Sequence, residues 1–353
     1  MNAPHCARLW RALLPTMAAF AIAAGFAAAP AANQAWAQDS AAFYKGKTVR
    51  IVVGFGPGGG YDAYARMIAP YLEKELGATV IVENQPGAGG LIAINRIAMA
   101  QPDGLQLMLV NGTAAGVDQI LDTPNVRYDL ATLDYLGIVS ASPWVWQVAV
   151  DGKRKTVADF LNSKEPNRWA GAGPTGGLSD GAAMTCEALQ LPCKVVIAYQ
   201  GSNEAAIAVF RGEMDSIITS DSTAANYVKS GQAVAVTTIG RKRSRFLPDT
   251  PTVFEATKLT PEQEWWFDFR ANLDALGRVL VTTPNTPKDR LAFLQAATKK
   301  VLTNSALIAE GEKTQRYVDY IGPEETKKIA TSVGNITPDQ QKRVIDVVMK
   351  KYR

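Results

Sequence analysis

Two glycine-rich turns with the same pattern, G-x-G-P-x-G-G, lie 117 residues apart in the chain, at Gly54–Gly60 and at Gly171–Gly177. Each turn follows an apolar run and precedes a helix-like stretch. A strand that breaks on glycines and enters a helix presents unpaired backbone N–H groups at the positive end of the helix dipole, which is a favourable site for an anion. One such turn in each half of the chain predicts two lobes that close on one small anionic ligand.

The first turn also contains a literal G-x-G-x-x-G, and Glu83 ends the strand that follows, as in a dinucleotide-binding fingerprint. We reject this interpretation because Pro57 stiffens the turn and Gly60 extends it. The third glycine of the pattern also falls short of the helix on which a pyrophosphate would sit. We therefore expect a protein that uses no nucleotide or other cofactor.

Two polar residues stand at the same offset behind the two turns, Asp62 in the first copy and Ser179 in the second. Either residue can be the N-cap of the helix that follows, an interaction worth about 1 kcal/mol. Alternatively, Asp62 orients ligand-bound waters or accepts a hydrogen bond from the ligand, and the Ser179 hydroxyl reaches the ligand. We expect Arg66, one turn further along the first helix, to form a salt bridge along that helix or to the sheet edge; pairing with the ligand is the alternative.

Further candidates stand where other predicted elements meet the cleft. Ser202, which follows Gly201, begins a third helix directed at the same cleft. Asn111 and Thr113 end a strand at the carboxyl edge of a sheet, where open α/β sheets bind ligands. The side chain of Phe55, inside the first turn, points either down into the sheet or up into the cleft.

The elements around these residues alternate between apolar strands and amphipathic helices, which predicts right-handed parallel α/β layers. The predicted strands are 48–55, 79–82, 105–110, 169–170, 195–199, 214–219, 233–239 and 277–283. The predicted helices are 63–76, 91–100, one ending at 189, one from about 200 to 212, and a helical tail over 287–353. The apolar segment 136–150 leads into a second lobe, and the strand at 277–283 is expected to cross back.

We therefore predict an α/β clamshell in which each lobe is a mainly parallel sheet flanked by helices, with the cleft between the lobes. Lobe I is expected to comprise residues 38–139 together with about 262–353. Lobe II is expected to comprise about 140–261.

Residues 1–37 have the features of a secretory signal peptide. Arg8 and Arg11 supply a positive start, Leu13–Ala29 is apolar, and Ala35–Ala37 forms a small-x-small cleavage site. The apolar run is too short and too rich in alanine for a convincing membrane span. Cleavage near Ala37 leaves 316 of the 353 residues, which is enough for two domains, and predicts a periplasmic location.

The only histidine, His5, lies in this leader. Its removal excludes Ser-His-Asp and Cys-His chemistry and nearly all catalytic zinc sites, so we expect neither catalysis nor a metal site. Cys186 and Cys193 remain, on either side of a helix end and a turn. They form a disulfide if their Cα atoms approach to about 6 Å; two free buried thiols are the alternative.

The distribution of charge argues against nucleic acid as a partner. The leader carries two of the 37 basic residues and none of the 33 acidic ones, so the net charge of the remaining chain is +2. The basic residues are dispersed except in the run R-K-R-S-R at 241–245. This run is either a solvated loop or a patch that docks a partner.

Several motifs resemble one family of binding proteins. Residues 57–66 (P-G-G-G-Y-D-A-Y-A-R) resemble the P-G-G-x-x-D-x-x-A-R signature of the tripartite tricarboxylate transporter receptors, the Bug or TctC-like periplasmic solute-binding proteins. Residues 82–90 (V-E-N-Q-P-G-A-G-G) resemble that family's V-E-N-x-P-G-A-G-G. Shorter matches follow in order at 102–104, 199–202, 247–253 and 284–287.

The resemblance implies a two-lobed, type II-like periplasmic binding protein without catalytic activity. Such a receptor, which we expect to be a monomer, delivers a small carboxylate to the membrane subunits of a tripartite tricarboxylate-type transporter. In the family, backbone groups and ordered waters at the first glycine turn hold a ligand carboxylate, and the turn of the second lobe completes the clamp. By this resemblance, the ligand-binding residues of the first lobe are Gly58, Gly59, Gly60 and Asp62. Those of the second lobe, on the opposite side of the cleft, are Thr175, Gly176, Gly177 and Ser179. We expect helix starts and backbone N–H groups, and no dedicated basic side chain, to bind the charged group of the ligand.

Two features depart from the family pattern. Asp180 stands about where members often have a histidine, and the longer stretch 264–277, with Trp265 and Trp266, replaces a short Trp-containing segment. Both changes bear on the ligand more than on the fold. Two other functions stay open: a periplasmic sensor that presents its ligand to a signalling partner, and a nucleotide-dependent enzyme, which the missing histidine and the export signal disfavour.

Overall fold

The computed structural model describes residues 40–333 and 336–353. The predicted signal peptide, residues 1–37, lies outside the described residues. Within those residues, we find no helix that combines the length and the apolar character needed to span a bilayer.

Strands and helices alternate through most of the described chain. The strands are β1 (Thr48–Val53), β2 (Thr79–Asn84), β3 (Gln106–Asn111), β4 (Asp134–Ser140), β5 (Trp144–Ala149), β6 (Asn167–Gly171), β7 (Cys193–Ile197), β8 (Ile217–Ser220), β9 (Ala233–Ile239) and β10 (Arg278–Thr282). The helices are α1 (Gly60–Leu76), α2 (Leu91–Ala98), α3 (Gly112–Ile120), α4 (Val157–Leu161), α5 (Gly177–Leu189), α6 (Ser202–Phe210), α7 (Asp221–Lys229), α8 (Val253–Ala256), α9 (Pro261–Asp274), α10 (Lys288–Leu302), α11 (Ser305–Lys313), α12 (Pro323–Ser332) and α13 (Pro338–Asp346). A 3₁₀ turn at Ala88–Gly90 and a π-helical turn at Val347–Lys351 complete them.

The first sheet has five strands in the order β2-β1-β3-β10-β4. β1 is parallel to β2 and β3, as the alternation of strands and helices predicted. β10 is antiparallel to β3 and β4, because it returns from the second lobe instead of following a crossover helix. Side chains of β1 alternate between the faces: Val49, Ile51 and Val53 join the cluster under α1 and α10, and Val52 joins the one under α2.

The second sheet consists of β8-β5-β9 and β6-β7, which a bridge between Trp169 and Ser216 joins. β6 and β7 are parallel. β5, the strand by which the chain enters this lobe, is antiparallel to both β8 and β9. The predicted α/β clamshell is therefore confirmed, but the prediction that each sheet is mainly parallel is wrong. Every pairing of β5 and β10, the strands at which the chain changes lobes, is antiparallel.

The packing of the C-terminal residues differs from the predicted division into lobes. Trp266 of α9, Val344 of α13 and the following Val348 belong to the same buried cluster as Trp146 of the second sheet. The amide of Val195 in β7 donates to the carbonyl of Tyr352 at 2.7 Å. Residues 338–353, expected in lobe I, thus complete the core of the second lobe. An amphipathic pattern predicts that a helix packs on a sheet but not which sheet it chooses.

Candidate functional site

The cleft between the two sheets encloses a small cavity near the carboxyl ends of β1, β3 and β8. Its volume is about 30 Å³, and by the same measure one water molecule needs about 10–15 Å³. The lobes are therefore almost closed in this conformation. Six of the residues predicted from the sequence line the cavity: Phe55, Gly59, Gly60, Asn111, Thr113 and Ser202.

The start of α1 faces the second lobe across this cavity. The amide N–H of Gly60 lies 3.4 Å from the Oγ of Ser202, the first residue of α6. A Cβ added at Gly60 would lie 2.6 Å from the Oγ1 of Thr223 and 3.3 Å from the Nη2 of Arg278. Because Gly60 has no side chain, the two lobes can approach this closely. The structure thus brings the first glycine turn and Ser202 together.

Aromatic and polar residues of the first lobe form another part of the wall. Phe55, whose direction the sequence left open, lines the cavity and stacks on Tyr61 with ring centroids 5.0 Å apart. Asn111 caps α3 by accepting from the amide of Ala114 at 3.2 Å. Thr113 donates to the backbone of α9 at the Leu273 carbonyl, 3.3 Å away. The Oδ1 of Asn111 and the hydroxyl of Thr113 are therefore already engaged within the protein.

Asp62 is not the N-cap of α1, because the helix begins at Gly60, two residues before Asp62, and Gly59 is its N-cap. Its carboxylate accepts from the amide of Gly58 at 2.9 Å and forms a salt bridge of 2.8 Å with Arg66. Arg66 also donates to the Asn84 side chain at 3.0 Å. Burial acts to raise the pKa of Asp62, but hydrogen bonds from Arg66 and Gly58 outweigh it and hold the pKa below its ordinary value. Asp62 and Gly58 lie outside the lining of this cavity, where they stabilise the turn from behind.

The second glycine turn packs against the first lobe. Gly176 is the N-cap of α5, and a Cβ there would lie 2.9 Å from the Cα of Gly89 in the first lobe. Thr175 donates from its Oγ1 to the buried carboxylate of Asp118 on α3. Burial raises the pKa of Asp118 to about 6, although this hydrogen bond acts in the opposite direction. Thr175 and Gly176 therefore fix the contact between the lobes and do not line the cavity.

Ser179, the third residue of α5, is not its N-cap either. The helix begins earlier than predicted, so the side chain is completely buried, and its Oγ has no hydrogen-bond partner among the described residues. Gly177 packs against the ring of Trp144. Of this helix start, only Leu178 lines the cavity. Gly201 is the N-cap of α6 and packs behind Phe55, outside the cavity lining. A Cβ added at Gly201 would lie 3.4 Å from the Cβ of Phe55.

Arg278 is the only charged side chain among the described residues that line the cavity, and sequence reasoning missed it. Only 4% of this first residue of β10 is exposed. Its Nη2 donates to the Oγ of Ser220 at 2.6 Å and its Nη1 to the Oγ of Ser140 at 3.2 Å. Its Nε has no hydrogen-bond partner, and no carboxylate of the described ranges lies within 4.0 Å. A basic side chain therefore does line this cavity, although none was expected from the sequence.

One feature of the sequence could have pointed to Arg278: it is a charged residue at the start of an otherwise apolar strand, R-V-L-V-T. Its guanidinium lies over the ring of Tyr64 at 4.2 Å. Together with the Gly60 amide and the Ser202 hydroxyl, it forms a set of donors drawn from both lobes, whereas the Ser220 hydroxyl already donates to the Oγ1 of Thr223 at 3.1 Å. Such a set binds an anion, and a planar carboxylate in particular.

The two departures from the family pattern meet in one buried ion network. Arg270, from the longer Trp-containing stretch, pairs through Nη1 with Asp180 and through Nε with Asp274 at 3.1 Å. Its guanidinium lies 4.5 Å from the ring of Trp144. Burial raises the pKa of Asp274 to about 7, although Arg270 acts in the opposite direction. Arg270, from the longer stretch, thus supplies the cation that the buried carboxylate of Asp180 requires.

Two side features have structural explanations. Cys186 in α5 and Cys193 in β7 are joined in a disulfide, with Cα atoms 6.2 Å apart. The arginines of the loop 241–245 pair with acidic residues of neighbouring helices, which favours a solvated loop over a docking patch. These pairs are Arg241 with Glu264 and Asp268, Arg243 with Glu255, and Arg245 with Glu312.

No group of three or more His, Cys, Asp or Glu side chains within 40–333 and 336–353 could hold a metal ion.

Comparisons with known proteins agree with this architecture. A family model described as the tripartite tricarboxylate transporter family receptor matches residues 64–334. A relative, the UPF0065 protein in the gbd 5' region of Cupriavidus necator, is 30% identical and aligns over 68% of this chain and 71% of its own.

Solved structures share the fold. The periplasmic binding protein BugD aligns with a TM-score of 0.72 at 22% identity, over 86% of this chain and 98% of its own. MatC from Rhodopseudomonas palustris, solved with bound malate, aligns with a TM-score of 0.70 at 24% identity, over 86% of this chain and 99% of its own. With a family match that covers more than half of the sequence, the chain belongs to the tripartite tricarboxylate transporter receptors, a family of substrate-binding proteins and not of enzymes.

Proposed function

We propose that this protein captures a small carboxylate between its lobes and delivers it to the membrane subunits of a tripartite tricarboxylate-type transporter. The observation that carries the proposal is Arg278, a buried guanidinium in the cleft with no carboxylate within 4.0 Å among the described residues. A charge removed from water costs several kcal/mol unless an opposite charge compensates for it. A ligand carboxylate supplies that charge and the acceptor oxygens.

The same donors explain why binding closes the lobes. Gly60 and Arg278 belong to the first sheet and its helices, whereas Ser202 belongs to the second lobe. A carboxylate that accepts from both sides binds the closed form better than the open form, and this difference in affinity shifts the population towards closure. A cavity of about 30 Å³ has no room for a complete organic acid. The ligand-bound form is therefore closed around a larger space than in this conformation, and the lobes must open further for the ligand to enter.

Location and partners follow from the family and the leader. The predicted cleavage near Ala37 supports export to the periplasm. Family membership supports a transporter as the partner, and MatC, which has the same fold, holds malate. We propose that the receptor acts as a monomer whose closed form presents the surface that the transporter reads.

The test is a thermal-shift screen on protein that has been unfolded and refolded to remove bound solute. The panel holds mono-, di- and tricarboxylates, aromatic acids, amino acids and nucleotides. A ligand at a hundredfold excess over its Kd adds about 2.7 kcal/mol of stability. We expect a shift with carboxylates in the wild type and none in Arg278→Gln. The exposed Arg211→Gln loses the same charge and serves as the matched control.

Two results would count against the proposal. A shift that survives in Arg278→Gln would remove the observation on which it depends. A response confined to nucleotides would replace the carboxylate with a different ligand class. Circular dichroism of each variant establishes that the comparison is made between folded proteins.

A further inference from the structure

The segment 82–90, which carries the V-E-N-Q-P-G-A-G-G motif, contributes no residue to the lining of the cleft cavity. Instead, its loop meets the second glycine turn. The φ angles of residues 87–90 are all positive, between 48° and 145°. A Cβ added at Gly89 would lie 2.7 Å from the Cα of Gly176, and one added at Gly173 would overlap the amide nitrogen of Gly89. The backbones of the two lobes can therefore touch only because these residues have no side chains.

A side chain of α3 holds the same turn at a second point. Thr175 donates from its Oγ1 to the carboxylate of Asp118, and the two residues are only 1% and 3% exposed. Asp118 and Gly89 also line one cavity of about 10 Å³, which is at most enough for a single water molecule. The closed interface therefore cannot hydrate this carboxylate if it loses its proton.

No cation compensates for the ionised form of Asp118. No Lys or Arg nitrogen of residues 40–333 or 336–353 lies within 4.0 Å of its carboxylate. The charged and titratable groups on the elements around it are Asp180 of α5, Arg270 and Asp274 of α9, Tyr128 of the segment after α3, and Arg353 at the C-terminal end.

These neighbours do not favour the ionised form. The charge of Asp180 acts against ionisation of Asp118. Arg270 is engaged with Asp180 and Asp274. The hydroxyl of Tyr128 donates to a backbone carbonyl of α3 at 2.8 Å, and Arg353 donates to the carbonyl of the residue before Thr175. Asp118 is thus a buried acid whose one direct partner from the second lobe is a neutral hydroxyl.

Opening the lobes would separate the turn from α3 and admit water to this carboxylate. Burial in the closed form raises the pKa of Asp118 to about 6, whereas a hydrated aspartate ionises near pH 4. Between these values the closed form binds more protons than the open form. A rise in pH through this range must therefore shift the population from closed to open.

We propose that the contact of the second glycine turn with Gly89 and Asp118 is a latch that holds the lobes closed without touching the ligand, and that loss of the Asp118 proton weakens it. The inference rests on the opening and closing of the lobes in the proposed function, but not on the identity of the ligand. The latch sets the fraction of closed protein, and the apparent affinity for any ligand scales with that fraction. Solute is therefore held more tightly at mildly acidic pH than at alkaline pH.

The test is small-angle X-ray scattering of the solute-free protein at pH 5 and pH 8, in buffers that contain no carboxylate. In the wild type we expect the ratio of closed to open protein to fall about tenfold, with a larger radius of gyration at pH 8. In Asp118→Asn the Oδ1 still accepts from Thr175 and carries no charge, so this variant stays compact at both pH values. The exposed Asp151→Asn is the matched control and follows the wild type.

A second variant tests the glycine contact without changing a charge. Gly89→Ala places a methyl group 2.7 Å from the Cα of Gly176, so we expect the larger radius of gyration already at pH 5. Gly231→Ala is the matched control, because Gly231 has a φ of 72°, close to the 69° of Gly89, and no other atom lies within 4 Å of the added methyl group. Both alanines therefore have the same backbone strain, and only one blocks the latch.

Three results would overturn the inference: a wild type with the same radius of gyration at both pH values, an Asp118→Asn variant that keeps the wild-type change, or a folded Gly89→Ala variant as compact as the wild type at pH 5. If circular dichroism shows that Gly89→Ala does not fold, the comparison of the wild type with Asp118→Asn decides. The screen with carboxylates tests the proposed function separately, because the scattering experiment uses no ligand.

Discussion

The buried carboxylate of Asp274 makes the pH dependence of stability a direct test of the ion network. Burial raises its pKa to about 7, whereas in the unfolded chain an aspartate loses its proton near pH 4. Between these values the folded protein binds more protons than the unfolded chain. The contribution of Asp274 to the free energy of unfolding therefore falls as the pH rises from about 4 to about 7, and changes little above that range.

The magnitude follows from the size of the shift. Moving a pKa from 3.8 to about 7 corresponds to about 4 kcal/mol in total, at about 1.4 kcal/mol per unit. About 2–3 kcal/mol of this falls between pH 5 and pH 8, which lowers the melting temperature by about 5 °C. Asp118, with a pKa raised to about 6, acts in the same direction. Residues 38–353 contain no histidine, so no imidazole titration is superimposed on this effect.

The assay is denaturant unfolding of the mature protein at pH 5 and pH 8, in the wild type and in Asp274→Asn. Asparagine is uncharged at both pH values, and its Oδ1 can still accept from Arg270 and Thr113. We expect the variant to equal the wild type at pH 5 and to exceed it by about 2 kcal/mol at pH 8. Asp249→Asn, at an exposed position, is the matched control.

Two observations would refute this reasoning. One is a wild-type free energy of unfolding that stays constant or rises between pH 5 and pH 8. The other is an Asp274→Asn variant that keeps the full wild-type slope, because the slope would then arise from other groups. Asp118→Asn, measured in parallel, assigns the part that belongs to the second carboxylate.

Two further predictions concern lobe closure and the disulfide. Gly60→Ala places a methyl group 2.6 Å from the Oγ1 of Thr223 and keeps the lobes apart, so calorimetry should show carboxylate affinity reduced at least about tenfold. Gly322→Ala, at another helix start where the methyl group only makes an ordinary contact of 3.8 Å with the Tyr320 hydroxyl, should bind as the wild type does. The double variant Cys186→Ser/Cys193→Ser should lose about 2–3 kcal/mol in denaturant unfolding, because the bridge closes a loop with a sequence separation of 7 and restricts the unfolded chain; an unchanged midpoint would contradict this.

Strands were easier to predict from the sequence than the helices that follow them directly. β9 runs over Ala233–Ile239, as its apolar run predicted, since a buried strand shows its character without its neighbours. α3 and α7 were not predicted. Each begins at the residue after a strand, with no turn residues between them to mark a boundary. α3 is also rich in glycine and alanine, and α7 in polar residues, so neither shows a clear apolar stripe.

The sequence predicted only those parts of the candidate site that depend on the backbone, such as glycine-rich turns. Glycines that let the lobes approach are visible as a repeated turn, which located Gly59 and Gly60. The role of Arg278 depends on the partners that β10 finds after the chain returns from the second lobe, and on Ser220 of that lobe. The burial of Ser179 depends on where α5 begins, and a glycine-rich turn does not fix that residue. Such features depend on tertiary packing and leave no local pattern.

The attachment of residues 338–353 to the second lobe sets an order for folding. The strands of that lobe end at Ile239, and the segment that completes its core comes only after residues 240–337, which include the last strand of the first sheet. During synthesis or export from the N-terminus, the first lobe thus has all its strands before the second lobe can bury its apolar surface. All the described residues that line the cavity are thus synthesised before the segment that completes the core of the second lobe, so the rigidity of one wall of the cleft depends on the last residues of the chain.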